Sequence, residues 1–169
     1  LVIINAINFI DGIDGLAITE VIKTIILFEF FSTSSTALTP LSVIIVISLI
    51  PLFYFNFKKS KKVFLGDGGS LLFGTILSIY IFYVLGNEYQ FKEGFQINKA
   101  LFAVLVILYP LVDLLRVFIL RIKKGGSPFE ADQTHLHHIA LRKTQNHLLA
   151  IGIILFFEMI IAFSLFGTV

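Results

Sequence analysis

The residues most able to do chemistry stand at the start of the chain, in the run Asn5-Ala6-Ile7-Asn8-Phe9-Ile10-Asp11-Gly12-Ile13-Asp14-Gly15-Leu16-Ala17. Two amides, two carboxylates and two glycines fall within thirteen residues of an otherwise apolar sequence. Asn5 and Asn8 are three apart, as are Asp11 and Asp14, and residues three apart share a helix face. A glycine after each carboxylate suggests that a helix gives way here to a loop that backbone or ligand can approach closely. Carboxylate and amide oxygens presented together suit a hard cation such as Mg²⁺, above all one shared with substrate phosphates. The plainer reading is a polar turn between two helices with the aspartates as caps.

Two further clusters stand out. In Phe64-Leu65-Gly66-Asp67-Gly68-Gly69-Ser70 an aspartate sits among glycines just before an apolar run. Ser70 is the expected N-cap, and helix N-termini favour anions. In Ser127-Pro128-Phe129-Glu130-Ala131-Asp132-Gln133-Thr134-His135-Leu136-His137-His138, three of the chain's four histidines fall within four residues. The H-x-H-H spacing matches no standard zinc signature, and the chain has no cysteine to complete one. Arg121, Lys123 and Lys124 nearby would repel a cation and attract an anion. The histidines therefore suit phosphate oxygens better than zinc. His147 stands alone at a helix entry and reads as interfacial.

The elements that must position these clusters are membrane helices. Hydrophobic residues make up 57% of the chain and charged residues 14%, with a mean hydropathy of +0.94; ordinary soluble domains carry roughly 25% charged residues. The expected fold is all-α, a polytopic transmembrane helix bundle in one integral-membrane domain over 1–169. About five full spans are expected, at 16–38, 41–55, 70–85, 100–120 and 148–166. Leu1 to Ile10 reads as the last half of a further span, so the chain is expected to be the C-terminal part of a larger protein. Glu20, Lys23 and Glu29 make the span at 16–38 the most polar. Glu20 and Lys23 are placed to pair, and this helix should face protein rather than lipid. Pro110 should kink or break the span at 100–120.

Alternation of spans puts the loops at 11–15, 56–69 and 121–147 on one side and the turns near 39–40 and 86–99 on the other. The first side carries Lys58, Lys59, Lys61, Lys62, Arg121, Lys123, Lys124, Arg142 and Lys143; the second carries Lys92 and Lys99. Short basic loops stay cytoplasmic. All three polar clusters are thus expected together on the cytosolic face of the membrane.

Taken together, the N-x-x-N-x-x-D-G-x-D-G-L-A run, the F-L-G-D-x-G-S run and the S-P-F-x-x-D-x-x-H-L-H-H run resemble the polyprenyl-phosphate N-acetylhexosamine-1-phosphate transferase family, glycosyltransferase family 4. That family includes enzymes that start O-antigen, enterobacterial common antigen and teichoic acid assembly. Tyr109 to Val117, Y-P-L-V-D-L-L-R-V, matches the segment before the histidine loop. The H-L-H-H form resembles the N-acetylglucosamine branch more than the muramoyl-pentapeptide branch. The resemblance implies transfer of a sugar-1-phosphate from a UDP-N-acetylhexosamine to a polyprenyl (in bacteria, undecaprenyl) phosphate, with release of UMP. It implies Mg²⁺, or alternatively Mn²⁺, held by Asn8 and Asp67. Asp11, Asp14 and Asp67 are the implied catalytic acids. Asn5, Asp14, Gly15 and Leu16 would contact the nucleotide, and His135, His137 and His138 the diphosphate. The lipid would enter beside the kinked helix at 100–120. A homodimer is compatible with this reading, and no nucleic-acid partner is expected.

The family's earlier acidic D-D-x-x-D motif is absent from this chain, so the acceptor-activating group is unassigned and the isolated piece is expected to be inactive. The competing reading is part of a transporter or channel, suggested by proline-broken helices and by intramembrane Asp113, Arg116 and Glu158.

Overall fold

The computed structural model describes residues 1–125, 127 and 134–166. The proline-containing part of the histidine loop, 128–133, lies outside them. Among the described residues the fold is all-helical, apart from one isolated bridge between Ser32 and Phe91. Eight helices run in chain order: α1 Val2–Ile10, α2 Leu16–Phe31, α3 Thr39–Asn56, α4 Gly66–Leu85, α5 Lys99–Val106, α6 Leu108–Lys123, α7 Leu136–Thr144 and α8 His147–Phe166. α4 packs on α1 and α2, α6 on α1, and α7 on α8.

The span count differs from the expected five plus one partial. Among the described residues, α3, α4 and α8 are long and apolar enough to cross a membrane, and the α5–α6 pair makes a fourth if it counts as one span. α2 has 16 residues, or about 24 Å at 1.5 Å each, against a hydrocarbon core of roughly 30 Å. It ends at Phe31 rather than near 38 because the following backbone pairs elsewhere. Thr33 N–H donates to the Gln90 carbonyl and Lys92 N–H to the Phe31 carbonyl, both at 3.0 Å. Phe31, Phe91, Phe95 and Phe102 lock this end, with the Phe31 and Phe95 rings stacked at 4.2 Å. Within α2, Leu16, Ala17, Ile18, Glu20, Val21, Thr24, Ile25 and Phe28 are all buried. It is a core helix, as its charges implied.

The helix at 100–120 is broken, with α5 and α6 meeting at 76° around Ile107. Pro110 explains the position. It cannot donate to the Val106 carbonyl one turn back, and the freed oxygen instead accepts from the Thr24 hydroxyl at 2.9 Å. The stranded Tyr109 N–H donates to Glu158 of α8 at 2.9 Å. Pro51, by contrast, lies within an unbroken α3. α4 begins at Gly66, four residues before the expected cap, so Ser70 lies inside the helix.

α1 and α4 touch backbone to backbone. A Cβ added at Gly74 would lie 2.7 Å from the Ile4 Cα. Small residues permit such close approach between membrane helices, and this one places the end of α1 beside the start of α4.

Candidate functional site

The three polar clusters converge at one end of the bundle. At the junction of α1 and α4, the Asn8 side-chain amide donates to Asp67 Oδ1 at 3.3 Å and to Ser70 Oγ at 2.8 Å. Ser70 is thus a bracket for Asn8 rather than a cap. Asp67 stands in the first turn of α4, where the helix dipole favours negative charge. Cβ atoms built on Gly66 and Gly68 would meet nothing within 4 Å, so the backbone on either side of Asp67 is open to a ligand. Asn5 points away from this junction, its amide donating to the Leu1 carbonyl on its own helix.

Asp11 closes α1 and faces Asp67 and Asp14. Burial pushes its carboxyl up to about 6; a Gly66 backbone hydrogen bond opposes the shift, and the charges of Asp67 and Asp14 add to it. Asp14 is held by two residues. Lys62 donates to its Oδ2 at 2.5 Å, its backbone N–H donates to His147 Nδ1 at 3.0 Å, and that nitrogen lies 3.6 Å from Oδ2. His147 therefore belongs to the site and is not merely interfacial. Gly15 has φ +79°, and its N–H donates to Asn56 Oδ1 at 2.6 Å. Phe57 and Phe53 fill the space where its Cβ would stand. Leu16 is wholly buried in the core.

The histidine cluster is carried by α7, a helix within the expected loop. Asp113 of α6 caps it, accepting the Leu136 N–H at 2.7 Å on Oδ1 and bonding His135 Nδ1 at 2.7 Å through Oδ2. Tyr109 OH bonds His137 Nδ1 at 3.0 Å. Arg116 donates to the Thr134 carbonyl at 2.6 Å. Asp113 and Arg116 thus serve the histidine segment, rather than an intramembrane path of the kind a transporter would use. Among the described residues, Asp113, His135 and His137 form a group whose ligand atoms lie within 4.8 Å of one another, so a cation could in principle bridge them. Here the Nδ1 atoms are committed to Asp113 and Tyr109. Burial, reinforced by the charge of His138, lowers His137 to about 3, so its ring is neutral at physiological pH. Its Nε2 is buried with no hydrogen-bond partner among the described residues, and a Cβ on Gly12 would lie 2.5 Å from that atom. The D-G-x-D loop and the histidine helix meet at this glycine.

Residues 1–85, half of the chain, match the family model for glycosyl transferase family 4. This chain belongs to glycosyl transferase family 4. The matched segment ends with α4, so it includes Asn8, Asp11, Asp14 and Asp67 but not α7. A decaprenyl-phosphate N-acetylglucosaminephosphotransferase of Mycobacterium leprae is 33% identical over 119 residues, which is 68% of this chain and 30% of that protein. An undecaprenyl-phosphate alpha-N-acetylglucosaminyl 1-phosphate transferase of Pasteurella multocida is 37% identical over 87 residues, 51% of this chain and 22% of that protein. Its namesake in Escherichia coli is 34% identical over 82 residues, 48% of this chain and 20% of that protein. The chain therefore spans less than a third of the length of these relatives. No solved structure matches it significantly.

Several contributors to this family 4 site were not legible as such. Lys62 and Asn56 lay in a basic loop read only for topology. Asp113 stood in an apolar helix and was read as an intramembrane charge. The Y-P-L-V-D segment was a usable signal for Asp113 and Tyr109; nothing in the sequence pointed to Asn56.

The crowding around Asp11 has a measurable consequence. A carboxyl raised from 3.8 to about 6 costs the fold nothing below its unfolded pKa. The cost builds between pH 3.8 and about 6 and then levels off, because over that interval the unfolded chain loses the proton that the folded one keeps. Asp11→Asn in the metal-free full-length protein is expected to raise the thermal midpoint at pH 8 by a few degrees, on the order expected for regaining about 1 kcal/mol, and by less at pH 5. Equal midpoints at both pH values would show that Asp11 is not crowded.

Proposed function

We propose that this chain forms the nucleotide-sugar side of a membrane transferase that moves N-acetylglucosamine-1-phosphate from its UDP ester to undecaprenyl or another polyprenyl phosphate. The carrying observation is the meeting of the D-G-x-D loop, the start of α4 and the histidine helix around Gly12 and Asp67. Family membership and the activities for which the relatives are named support the same reading. In the reaction an oxygen of the lipid phosphate attacks the β-phosphorus of the nucleotide sugar. The bond to the α-phosphate oxygen breaks, and UMP leaves with that electron pair.

Both reactants are anions, so positioning and charge neutralisation are the main tasks. The donor set fits a hard dication once the Asn8 amide is flipped to turn its oxygen, in place of the NH2, toward Asp67: Asp67, Asp11 and Asn8 stand together, and Lys62 pairs with Asp14. Mg²⁺, or Mn²⁺ in its place, would be held by Asp67 and Asn8 with Asp11 beside them, and would supply charge neutralisation at the pyrophosphate. Asp14, fixed by Lys62 and His147, is oriented to accept from the uridine. Neutral His137 would donate from Nε2–H to a phosphate oxygen, with His135 and His138 beside it. Two apolar cavities flank the broken helix, of about 620 Å³ and about 320 Å³. The smaller, lined by Val112, Ile139 and Ile153 among others, adjoins α7 and suits the first isoprene units of the acceptor. Exposed apolar side chains on α3 and α8 suit lipid, the rest of the full-length protein or a second copy.

The deciding experiment is UMP release by the purified full-length protein given UDP-N-acetylglucosamine and undecaprenyl phosphate with Mg²⁺. Release that requires both substrates supports the reading; none under any divalent cation overturns it.

We also place the site on the cytosolic side of the plasma membrane, because the loop at 56–69 and the segment at 121–147 carry nine of the thirteen Lys and Arg residues, against Lys92 and Lys99 at 86–99. The chain has no native cysteine, so single cysteines report cleanly. Cysteines at Ser60 and Lys143 should react with an impermeant maleimide only from the cytosol, and one at Gln90 only from outside. Labelling of Ser60 and Lys143 from opposite sides is incompatible with the shared face.

A further inference from the structure

Glu20, Lys23 and Glu158 form a buried ionic group that the transferase chemistry does not use. Lys23 Nζ bonds Glu20 Oε2 at 2.5 Å and both Glu158 oxygens at 2.7 and 2.8 Å. Charges at this depth are costly unless each is partnered. Their neighbours show what they hold. The break between α5 and α6 strands two backbone groups, the Val106 carbonyl and the Tyr109 N–H. Thr24, next to Lys23 on α2, donates to the first, and Glu158 Oε1 accepts from the second. An unsatisfied backbone group inside a membrane costs several kcal/mol, so this cluster secures the break.

Tyr109 joins the break to the site. Its backbone is fixed by Glu158, and its hydroxyl bonds His137 Nδ1 at 3.0 Å. The carboxylate that would accept from a protonated Nδ1, Asp113 Oδ2, is 3.7 Å away and already bonds His135 at 2.7 Å. A phenol that donates to Nδ1 leaves the ring proton on Nε2, the atom that faces Gly12.

We propose that Glu158, braced by Lys23, is a positioning residue that acts through Tyr109 to hold His137 as the Nε2–H tautomer facing the D-G-x-D loop. The value of that tautomer for phosphate rests on the transferase reading; the tautomer itself does not.

The test uses full-length protein labelled with ¹⁵N-histidine, His137 being assigned by its loss in His137→Gln. In the resting wild type, His137 should show a protonated Nε2 and an unprotonated, hydrogen-bonded Nδ1. Tyr109→Phe should abolish the Nδ1 hydrogen-bond shift. Glu158→Leu should weaken it and lower kcat roughly 100-fold, with KM for the UDP-sugar nearly unchanged. The Glu158→Leu, Tyr109→Phe double variant should be no slower than the slower single one. Glu158→Gln keeps an oxygen for the Tyr109 N–H and should lose less; it replaces Glu158→Leu in the cycle if the leucine variant does not fold. A wild-type His137 protonated on Nδ1 overturns the proposal, as do losses that multiply in the double variant. Absence of UMP release from the wild type would sink the transferase reading while leaving the spectroscopic result intact.

Discussion

Asp67→Asn is expected to abolish transfer by the full-length protein while leaving its membrane insertion and thermal midpoint close to wild type. The change is isosteric and keeps an oxygen for the Asn8 amide, which bonds Asp67 Oδ1 at 3.3 Å, so the junction of α1 and α4 survives. What is lost is a full negative charge in the first turn of α4, between glycines open to a ligand. A hard dication prefers anionic oxygen over amide oxygen, and neutralisation of two reacting anions is the largest task of the site. A fall in kcat of about 10³-fold or more is expected, on the scale of removing one strong electrostatic stabiliser. The measurement is UMP release at saturating and at limiting Mg²⁺. Near-wild-type turnover at limiting Mg²⁺ would remove Asp67 from the metal site. Isothermal titration with Mg²⁺ separates this role from a purely catalytic one, since the variant should also bind the ion more weakly.

Gly74→Ala, one turn deeper than Ser70, is expected to lower both stability and turnover although it alters no residue of the site. The new methyl would lie 2.7 Å from the Ile4 Cα and 3.1 Å from the Ile4 carbonyl oxygen. Both are backbone atoms, so no rotamer change relieves the clash and the helices must part by about 1 Å. Overpacking of this kind costs typically 1–3 kcal/mol. The separation also pulls Asn8 from Asp67 and Ser70, because Ile4 and Asn8 stand four residues apart on α1 and Gly74 and Ser70 four apart on α4. A misplacement of about 1 Å can cost roughly 100-fold in rate. Thermal unfolding and kcat should therefore fall together, with chemically intact site residues. If Gly74→Ala keeps wild-type turnover, the close approach of α1 and α4 does not set the geometry of the site. Gly68→Ala is the matched control for stability, since a Cβ there meets nothing within 4 Å.

Composition and order carried much of this protein's reading. Hydropathy determined an all-helical membrane bundle, because a chain this apolar must satisfy its backbone within helices. The pairs Asn5 and Asn8, Asp11 and Asp14, the glycine-flanked Asp67 and the clustered histidines announced themselves because polar residues are costly in such a chain and stand out. Glu20 and Lys23, three apart, declared their own pairing. Alternation of spans grouped the polar loops at one end, and the contacts of Asp14 with Lys62 and His147 and of Gly12 with His137 bring them together there.

Tertiary structure decided the rest, for reasons that no local pattern contains. Pro110 marked a break, but its angle and its partners depend on Thr24 and Glu158, 86 and 48 residues away in sequence. The stop of α2 at Phe31 depends on pairing with Gln90 and Lys92, which a helix propensity does not see. Asn56 and His147 entered the site through contacts with Gly15 and Asp14 across 41 and 133 residues. Asp113 became the cap of α7 only when α6 was turned toward it. Sequence determines which groups must find partners; which partners they find is settled by the packing of α1 on α4, the broken helix and α7, because hydrogen bonds between distant residues form only where the backbone has already brought them within about 3 Å.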